Sequence, residues 1–386
     1  MRGVNECRRS AAAGSILNRK MRFADSTDVS LPQWAQQHGV VHQRARLARR
    51  SCERKGGHKH QQTADNESEE AIRHCGKRST PKVVPRHATI VKDSAKLKQN
   101  RNFRGTAMRT EIRSAIDFYE HHPISCDIIL AKLGASRGHL DRLSPEELLP
   151  HDQDHYGGLA ANDALAERAH IGEGTRVADF CAGLGGPSRY FAHRYGADVT
   201  GIELTPARVR GAEELTRRVG LQHKVRIIEG NVMQVPLPDA SVDVVISQEA
   251  LLHVPDKLRA LQEARRILKP GGRLAFTDWV AHRPLSDRDK RLMWDGMAVT
   301  DLYDLSAYAE LIGRAGFIAS EAEDLTREWG EILRHRLAMY QRLREETQAA
   351  GTPAGHDAFY ESYVRFVELV NAAVLGGGRF SGQKPG

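Results

Sequence analysis

From Met108 onward, short apolar runs rich in Val, Ile and Phe alternate with stretches whose apolar residues recur at helical spacing. The β-branched runs predict strands at Arg176–Phe180, Asp198–Glu203, Val225–Glu229, Val242–Ser247 and Arg273–Trp279, with shorter, more polar ones at Ile318–Glu323 and in "GRFSGQ". Between them the spacing predicts helices over Pro187–Arg194, Pro206–Val219, Asp256–Leu268 and Ser306–Ala315. "LKPGG" marks a helix stop, with Pro and two glycines after a basic last turn. Upstream, helical periodicity covers Glu111–His121 and Asp127–Leu133, and Ser144 followed by Pro145 starts another helix. After Thr326 the chain turns helical and aromatic, with Trp329, Tyr363 and Phe366 among residues that read as packing. Strand–helix alternation at this spacing implies an α/β fold: a Rossmann-like, doubly wound, mostly parallel seven-stranded sheet with helices on both faces. N-terminal helices and a helical C-terminal region complete it.

Charge divides the chain. Residues 1–107 hold 23 Lys and Arg against 9 Asp and Glu, and the remaining residues 34 against 40, so the overall +8 belongs to the N-terminal segment. That segment has no buried-face periodicity and reads as a basic, disordered extension. The abrupt change at Met108 points to a translation start there, with residues 108–386 as the catalytic domain. Blocks such as "RARLARRSCERK" suit nucleic acid or an anionic membrane, but the acidic balance of 108–386 makes nucleic acid an unlikely substrate of that domain. Five widely spaced cysteines, an odd number, argue against a disulfide framework and for a reducing, cytoplasmic setting. Cys52, His58, His60, His74 and Cys75 fit no zinc spacing, so no metal is expected. No apolar run reaches about 18 residues, so neither a membrane span nor a secretion signal is expected.

The chemistry concentrates in "VADFCAGLGGPSRYFAHRYGADVTGIEL", Val177–Leu204. A strand ending at Asp179 and a helix starting near Pro187 bracket "FCAGLGG", where Gly183, Gly185 and Gly186 let the backbone approach a ligand and the helix start offers free N–H groups. Alone, such a loop is equally a tight strand-to-helix turn. Glu203 ends the next strand, 20 residues beyond Gly183, where a carboxylate accepts both hydroxyls of a ribose. Asn231 and Val232 follow the third strand, placed to read an adenine edge by an amide and a backbone N–H. These points lie at the carboxyl ends of adjacent strands, where open α/β sheets bind ligands.

These motifs resemble those of class I S-adenosylmethionine-dependent methyltransferases, in the right order across Thr175–Val280. "HDQDHYGGLAANDALAERAHI" with "GLGGPSRYFA" and "GIELTP" is similar, more narrowly, to sarcosine/dimethylglycine N-methyltransferases and their phosphoethanolamine and tocopherol relatives. The resemblance implies S-adenosyl-L-methionine as cofactor, held by Asp179, Cys181, Gly183, Gly185, Gly186, Glu203, Leu204, Asn231, Val232 and Gln248, and a small-molecule methyl acceptor. Two residues depart from the pattern: Cys181 replaces the first glycine of D-x-G-x-G and Asn231 replaces Asp. A cysteine with negative φ, and an Asn oxygen that still accepts from an amine, would both preserve binding.

Methyl transfer is an in-line displacement at a sulfonium carbon, needing alignment and exclusion of water but no covalent nucleophile or metal. An amine acceptor must be neutral, which calls for a base. Tyr156 and His253 are the catalytic candidates, with His155 a third. Glu249 beside Gln248 is expected to bound the site, and Trp279, Trp294 and Tyr303 offer faces to a cation. The segment 281–305 after the fifth strand is the expected substrate lid, and the two helices before "HDQDHYGG" are placed to close over the same mouth. The leading expectation is N-methylation of sarcosine or dimethylglycine by a monomer or homodimer. The alternatives are O- or C-methylation of a phenolic or quinone-like compound, a phosphoethanolamine-type methyltransferase, and, from another class, a dinucleotide-dependent oxidoreductase. G-L-G-G-P-S lacks the third glycine of a dinucleotide fingerprint, which weighs against the last.

Overall fold

The computed structural model describes residues 107–120, 122, 124–349 and 357–386. The basic extension up to residue 106, with its Cys52, His58, His60, His74 and Cys75 group, lies outside the described residues. In chain order the elements are α1 (107–120), α2 (Cys126–Arg137), α3 (Pro145–Asp152), α4 (Gly158–Ala169), β1 (Arg176–Phe180), α5 (Gly186–Tyr195), β2 (Asp198–Glu203), α6 (Pro206–Arg218), β3 (Val225–Glu229) and β4 (Val242–Gln248). They continue through a 3-10 turn at Leu251–His253, α7 (Lys257–Ile267), β5 (Leu268–Ala281), α8 (Asp287–Met297), α9 (Leu305–Arg314), β6 (Ile318–Asp324), α10 (Thr326–Ala349), α11 (Asp357–Asn371) and β7 (Leu375–Gln383).

The seven strands form one sheet in the order β3-β2-β1-β4-β5-β7-β6. Neighbours from β3 to β5 pair in parallel, and β7 lies antiparallel between β5 and β6. The expected Rossmann-like, mostly parallel seven-stranded sheet is therefore what the chain forms. Its central strands β1 and β4 read as near-continuous apolar runs because both faces are covered, whereas the edge strand β6 is polar and exposed. Side chains alternate between two cores: Val177, Val244 and Ala275 pack on one face, and Ala178, Val245 and Phe276 on the other.

Several elements shift by a residue or more from the expected bounds, and two of the differences have a clear physical cause. The helix does stop at Ile267, but β5 starts at once at Leu268, because Leu268 pairs with Val242 across an irregularity in the ladder and the Pro-Gly-Gly stretch continues the strand. β7 is longer than "GRFSGQ" suggests. Its extra residues are Leu375, Gly376 and Gly377, and a Cβ at Gly377 would collide with the Trp329 indole, so the bare backbone is the seat for that ring. Among the described residues no helix is long and apolar enough to cross a membrane.

One buried ion pair sets the position of the loop above the glycine turn. Arg189 on α5 and Asp152 at the end of α3 are both almost fully buried, 2.8 Å apart. The remaining guanidinium hydrogens go to the Leu184 and Ala212 carbonyls and the Thr216 hydroxyl, so the charge is fully satisfied. The pair presses the backbone of Asp152 against α5, where a Cβ at Gly186 would collide with the Asp152 carbonyl oxygen. Replacing Asp152 by Ala leaves a buried guanidinium uncompensated and should lower the unfolding free energy by about 3–5 kcal/mol. Urea unfolding that shows a loss under about 1 kcal/mol would mean the pair does not hold this loop.

Candidate active site

The carboxyl ends of β1, β2 and β4 open into one cavity lined from the sequence-predicted set by Asp179, Cys181, Gly183 and Gly186, by Glu203 and Leu204, by Asn231 and Val232, and by Gln248 and His253. The turn from β1 into α5 passes through left-handed backbone at Cys181 (φ 58), Gly183 (φ 56) and Gly185 (φ 75). Glycine adopts that conformation freely and cysteine only at a steric cost, so the expectation of negative φ at Cys181 is corrected: the substituted residue sits where the motif calls for glycine on steric grounds. Gly185 is set apart from the others. It caps α5 away from the cavity lining, where a Cβ would come within 3.0 Å of Arg189 Nη1 and 3.5 Å of the Ala212 Cβ, so its role is packing.

Glu203 is held rigidly before any ligand arrives. Its Oε2 accepts from the Gly183 N–H at 2.9 Å and its Oε1 from the Thr205 N–H at 2.8 Å. Each oxygen keeps a further lone pair for a hydroxyl donor. Asp179 instead takes the Ser188 hydroxyl at 2.6 Å, tying the strand end to the first turn of α5, and burial pushes its carboxyl up to about 7. The Asn231 Oδ1 accepts from the Met233 N–H at 2.9 Å and so shapes its own loop. Gln248 is the one lining residue in this set whose side-chain nitrogen and oxygen are both buried without a partner. A buried amide in that state has both its donor and its acceptor side open to a polar ligand group.

The far wall carries the titratable groups. His253, on the 3-10 turn after β4, is pushed down to about 4 by burial, with the Lys257 charge acting in the same direction, so its imidazole is neutral at pH 7. Its Nε2 lies 2.9 Å from the Tyr119 hydroxyl on α1. Glu249 also lines the cavity, at φ 46; its oxygens accept from the Tyr156 N–H at 2.6 Å and the Thr277 hydroxyl at 3.1 Å. Burial pushes this carboxyl up to about 8.

Of the other two candidates, His155 lines the same cavity as His253 and Tyr156 does not. The Tyr156 ring packs against Trp329 at 5.0 Å and beneath the Arg336 guanidinium at 4.9 Å, and burial raises its phenol well above 10. It does not line the cavity; it supports Glu249 through its backbone, which corrects the expectation of a base at this position. His155 is bonded to Gln153 at 3.0 Å and to its neighbour's carbonyl, a loop-shaping use of both nitrogens. Trp279 stacks on Phe366 at 3.9 Å as core, and neither it, Trp294 nor Tyr303 lines the cavity. The segment 281–305 lines none of it either; α8 is clamped to α11 by Arg365 and Asp289 at 2.9 and 3.1 Å. The cavity is roofed instead by α1, through Ile112, Ala115 and Tyr119.

Sequence reasoning missed Tyr119 and Arg208. Arg208, in the first turn of α6, lies 4.4 Å over the Tyr119 ring, donates to the Ile124 carbonyl at 3.2 Å and stands 3.5 Å from Asp154. Its only signal was an arginine interrupting the apolar face of an amphipathic helix.

Burial of His253 has a pH signature. Its folded value near 4 lies below the ordinary 6.5, so the unfolded chain takes up a proton that the folded chain refuses. The resulting stability is complete above pH 6.5 and is lost as pH falls towards 4. Between those limits the wild type should lose up to about 3 kcal/mol more than His253→Gln in denaturant titrations; parallel pH curves for the two would show the imidazole is not buried.

Residues 178–276 match the family described as "Methyltransferase domain". The chain is 33% identical over 162 residues to the glycine/sarcosine/dimethylglycine N-methyltransferase of Actinopolyspora halophila, a match covering 42% of this chain and 29% of that protein. It is 28% identical over 190 residues to phosphoethanolamine N-methyltransferase 3 of Arabidopsis thaliana, covering 49% of this chain and 38% of that one. The chain thus spans less than half the length of these curated relatives. Among solved structures, the Haemonchus contortus phosphoethanolamine N-methyltransferase 2 in complex with phosphomonomethylethanolamine and S-adenosylhomocysteine shares the fold, with a TM-score of 0.54 at 24% identity over 60% of this chain and 53% of that one. Sheet order, glycine turn and domain match together identify residues 178–276 as the core of a class I S-adenosylmethionine-dependent methyltransferase domain.

Proposed function

We propose that the protein transfers a methyl group from S-adenosylmethionine to the nitrogen of a small amine, with sarcosine, dimethylglycine or a phosphoethanolamine-type base as the acceptor class. The observation that carries the cofactor assignment is the pre-set Glu203 carboxylate at the end of β2, facing the same cavity as the unpartnered Gln248 amide. In this reading Glu203 accepts the two ribose hydroxyls, the Asn231–Val232 edge meets the adenine, and the backbone at Cys181, Gly183 and Gly186 lies along the methionine end, with Gln248 and Asp179 beside it. The cofactor supplies an electrophilic methyl on a sulfonium. The protein's part is to align it and exclude water.

The far wall suits an amine. Glu249, a buried carboxyl that titrates near neutrality, ionises when a cationic ammonium arrives beside it, and so selects for that group. His253 is the base: its neutral imidazole points Nε2 at the Tyr119 hydroxyl, so a proton leaving the acceptor passes to the Tyr119 oxygen as the tyrosine proton passes to Nε2. The names of the two relatives given above, both N-methyltransferases, support nitrogen as the methylated atom.

Calorimetry with S-adenosylhomocysteine tests the cofactor site. Glu203→Ala should weaken binding by roughly 1–3 kcal/mol, the usual cost of leaving buried hydroxyls unpaired. An unchanged affinity, or tight NAD binding in its place, would remove the ribose assignment. Labelled methyl transfer onto a panel of amines, phosphobases and phenols tests the acceptor class, and transfer to phenols alone would exclude the amine reading. His253→Ala should reduce turnover of the best amine by about 10²–10⁴-fold while leaving S-adenosylhomocysteine affinity in place. Undiminished turnover would exclude His253 as the base.

A further inference from the structure

His253 stands on a 3-10 turn of three residues, Leu251–His253, too short to fix the direction of a ring by its own hydrogen bonds. The segment 298–300, directly after α8, clamps it from behind. Ala298 takes left-handed backbone (φ 51) at the end of α8, and its carbonyl oxygen lies 3.2 Å from His253 Nδ1. Two residues on, the Thr300 N–H donates to the Leu252 carbonyl at 2.8 Å, and the Thr300 hydroxyl lies 2.7 Å from the same oxygen. Buried Lys257 donates from Nζ to the Thr300 hydroxyl at 3.0 Å and to the Val254 carbonyl at 3.1 Å. On the other side Asp278, which accepts from the Tyr308 hydroxyl, takes the Leu252 N–H at 3.1 Å. Both neighbours of His253 are therefore tied by their peptide groups, and the ring is tied by Nδ1.

The direction of these bonds follows from the donors. An ammonium offers only hydrogens, so the Thr300 oxygen accepts from Lys257 and turns its own hydrogen to the Leu252 carbonyl at 2.7 Å, the Val254 carbonyl at 3.3 Å being the longer alternative. A carbonyl offers only lone pairs, so Nδ1 facing Ala298 carries the hydrogen and Nε2 is left bare towards Tyr119. We propose that Thr300 is a positioning residue for methyl transfer: through the Lys257–Thr300–Leu252 chain it fixes the aim and the tautomer of His253. The inference rests on His253 being the base. Thr300 and Lys257 line no part of the cavity, so they act only through that ring. The expected lid segment thus serves the site from behind.

The test is 15N NMR of the full-length protein labelled at histidine, with the His253 signals assigned by comparison with His253→Gln. In the wild type the two ring nitrogens should be well separated, Nδ1 as the protonated and Nε2 as the bare one. In Thr300→Val the two signals should converge as the tautomers mix, Thr300→Ser should restore the separation, and S-adenosylhomocysteine affinity should stay within about twofold in all three. Should Thr300→Val fail to fold, Lys257→Met frees the hydroxyl to turn and should give the same convergence. Signals that stay separated in these variants, or a wild type carrying its proton on Nε2, overturn the proposal. A wild type that does not bind S-adenosylhomocysteine would count against the methyltransferase reading and leave the tautomer comparison standing.

Discussion

The site depends on a backbone constraint: the chain passes from β1 into α5 through left-handed residues at 181, 183 and 185, and only that path brings the strand end, the Glu203 carboxylate and the start of α5 around one cavity. The Glu203 side chain closes the turn by taking the Gly183 N–H, so the group that meets the ribose in the proposed reading also holds the loop that would meet the rest of the cofactor. Above the turn, the Asp152–Arg189 pair fixes the height of the 152–158 loop over Gly186. The cost of burying that charge is met by a guanidinium with a partner in every direction.

Burial then decides the chemistry of the far wall. Asp179 and Glu249 are pushed up to about 7 and 8, and His253 down to about 4, all by loss of water before any charge partner is considered. Two acids and one base shifted towards their neutral forms suit the cavity to a cationic or proton-donating guest. Arg208 and Asp154 form the charged exception, and both face α1, the element that roofs the cavity.

Much of this was legible in the chain. β1, β2 and β3 occupy the expected residues because strands buried on both faces leave an unbroken apolar run bounded by turn residues. Glu203, Asn231 and Gln248 lie on the cavity because they stand at or just past the carboxyl ends of neighbouring parallel strands. What could not be read arose from tertiary placement. Pro-Gly-Gly after Ile267 signals a stop, yet pairing with Val242 recruits it into β5. Tyr119 lies far in sequence from His253, and no local pattern announces their contact. Tyr156 carries the right chemistry in a suggestive loop, but Trp329 and Arg336 claim its ring. The backbone angle at Cys181 follows from the glycines around it, and a residue-by-residue reading of side chains overlooks it.

In the proposed reading the cavity beside Glu203 is a nucleoside-sulfonium site aimed at His253. A crystal structure of the protein with S-adenosylhomocysteine tests it most directly. Both ribose hydroxyls should lie on the Glu203 carboxylate, with the adenine at Asn231–Val232 and the sulfur facing His253 and Tyr119. A ligand bound elsewhere, or one whose ribose avoids Glu203, would contradict it.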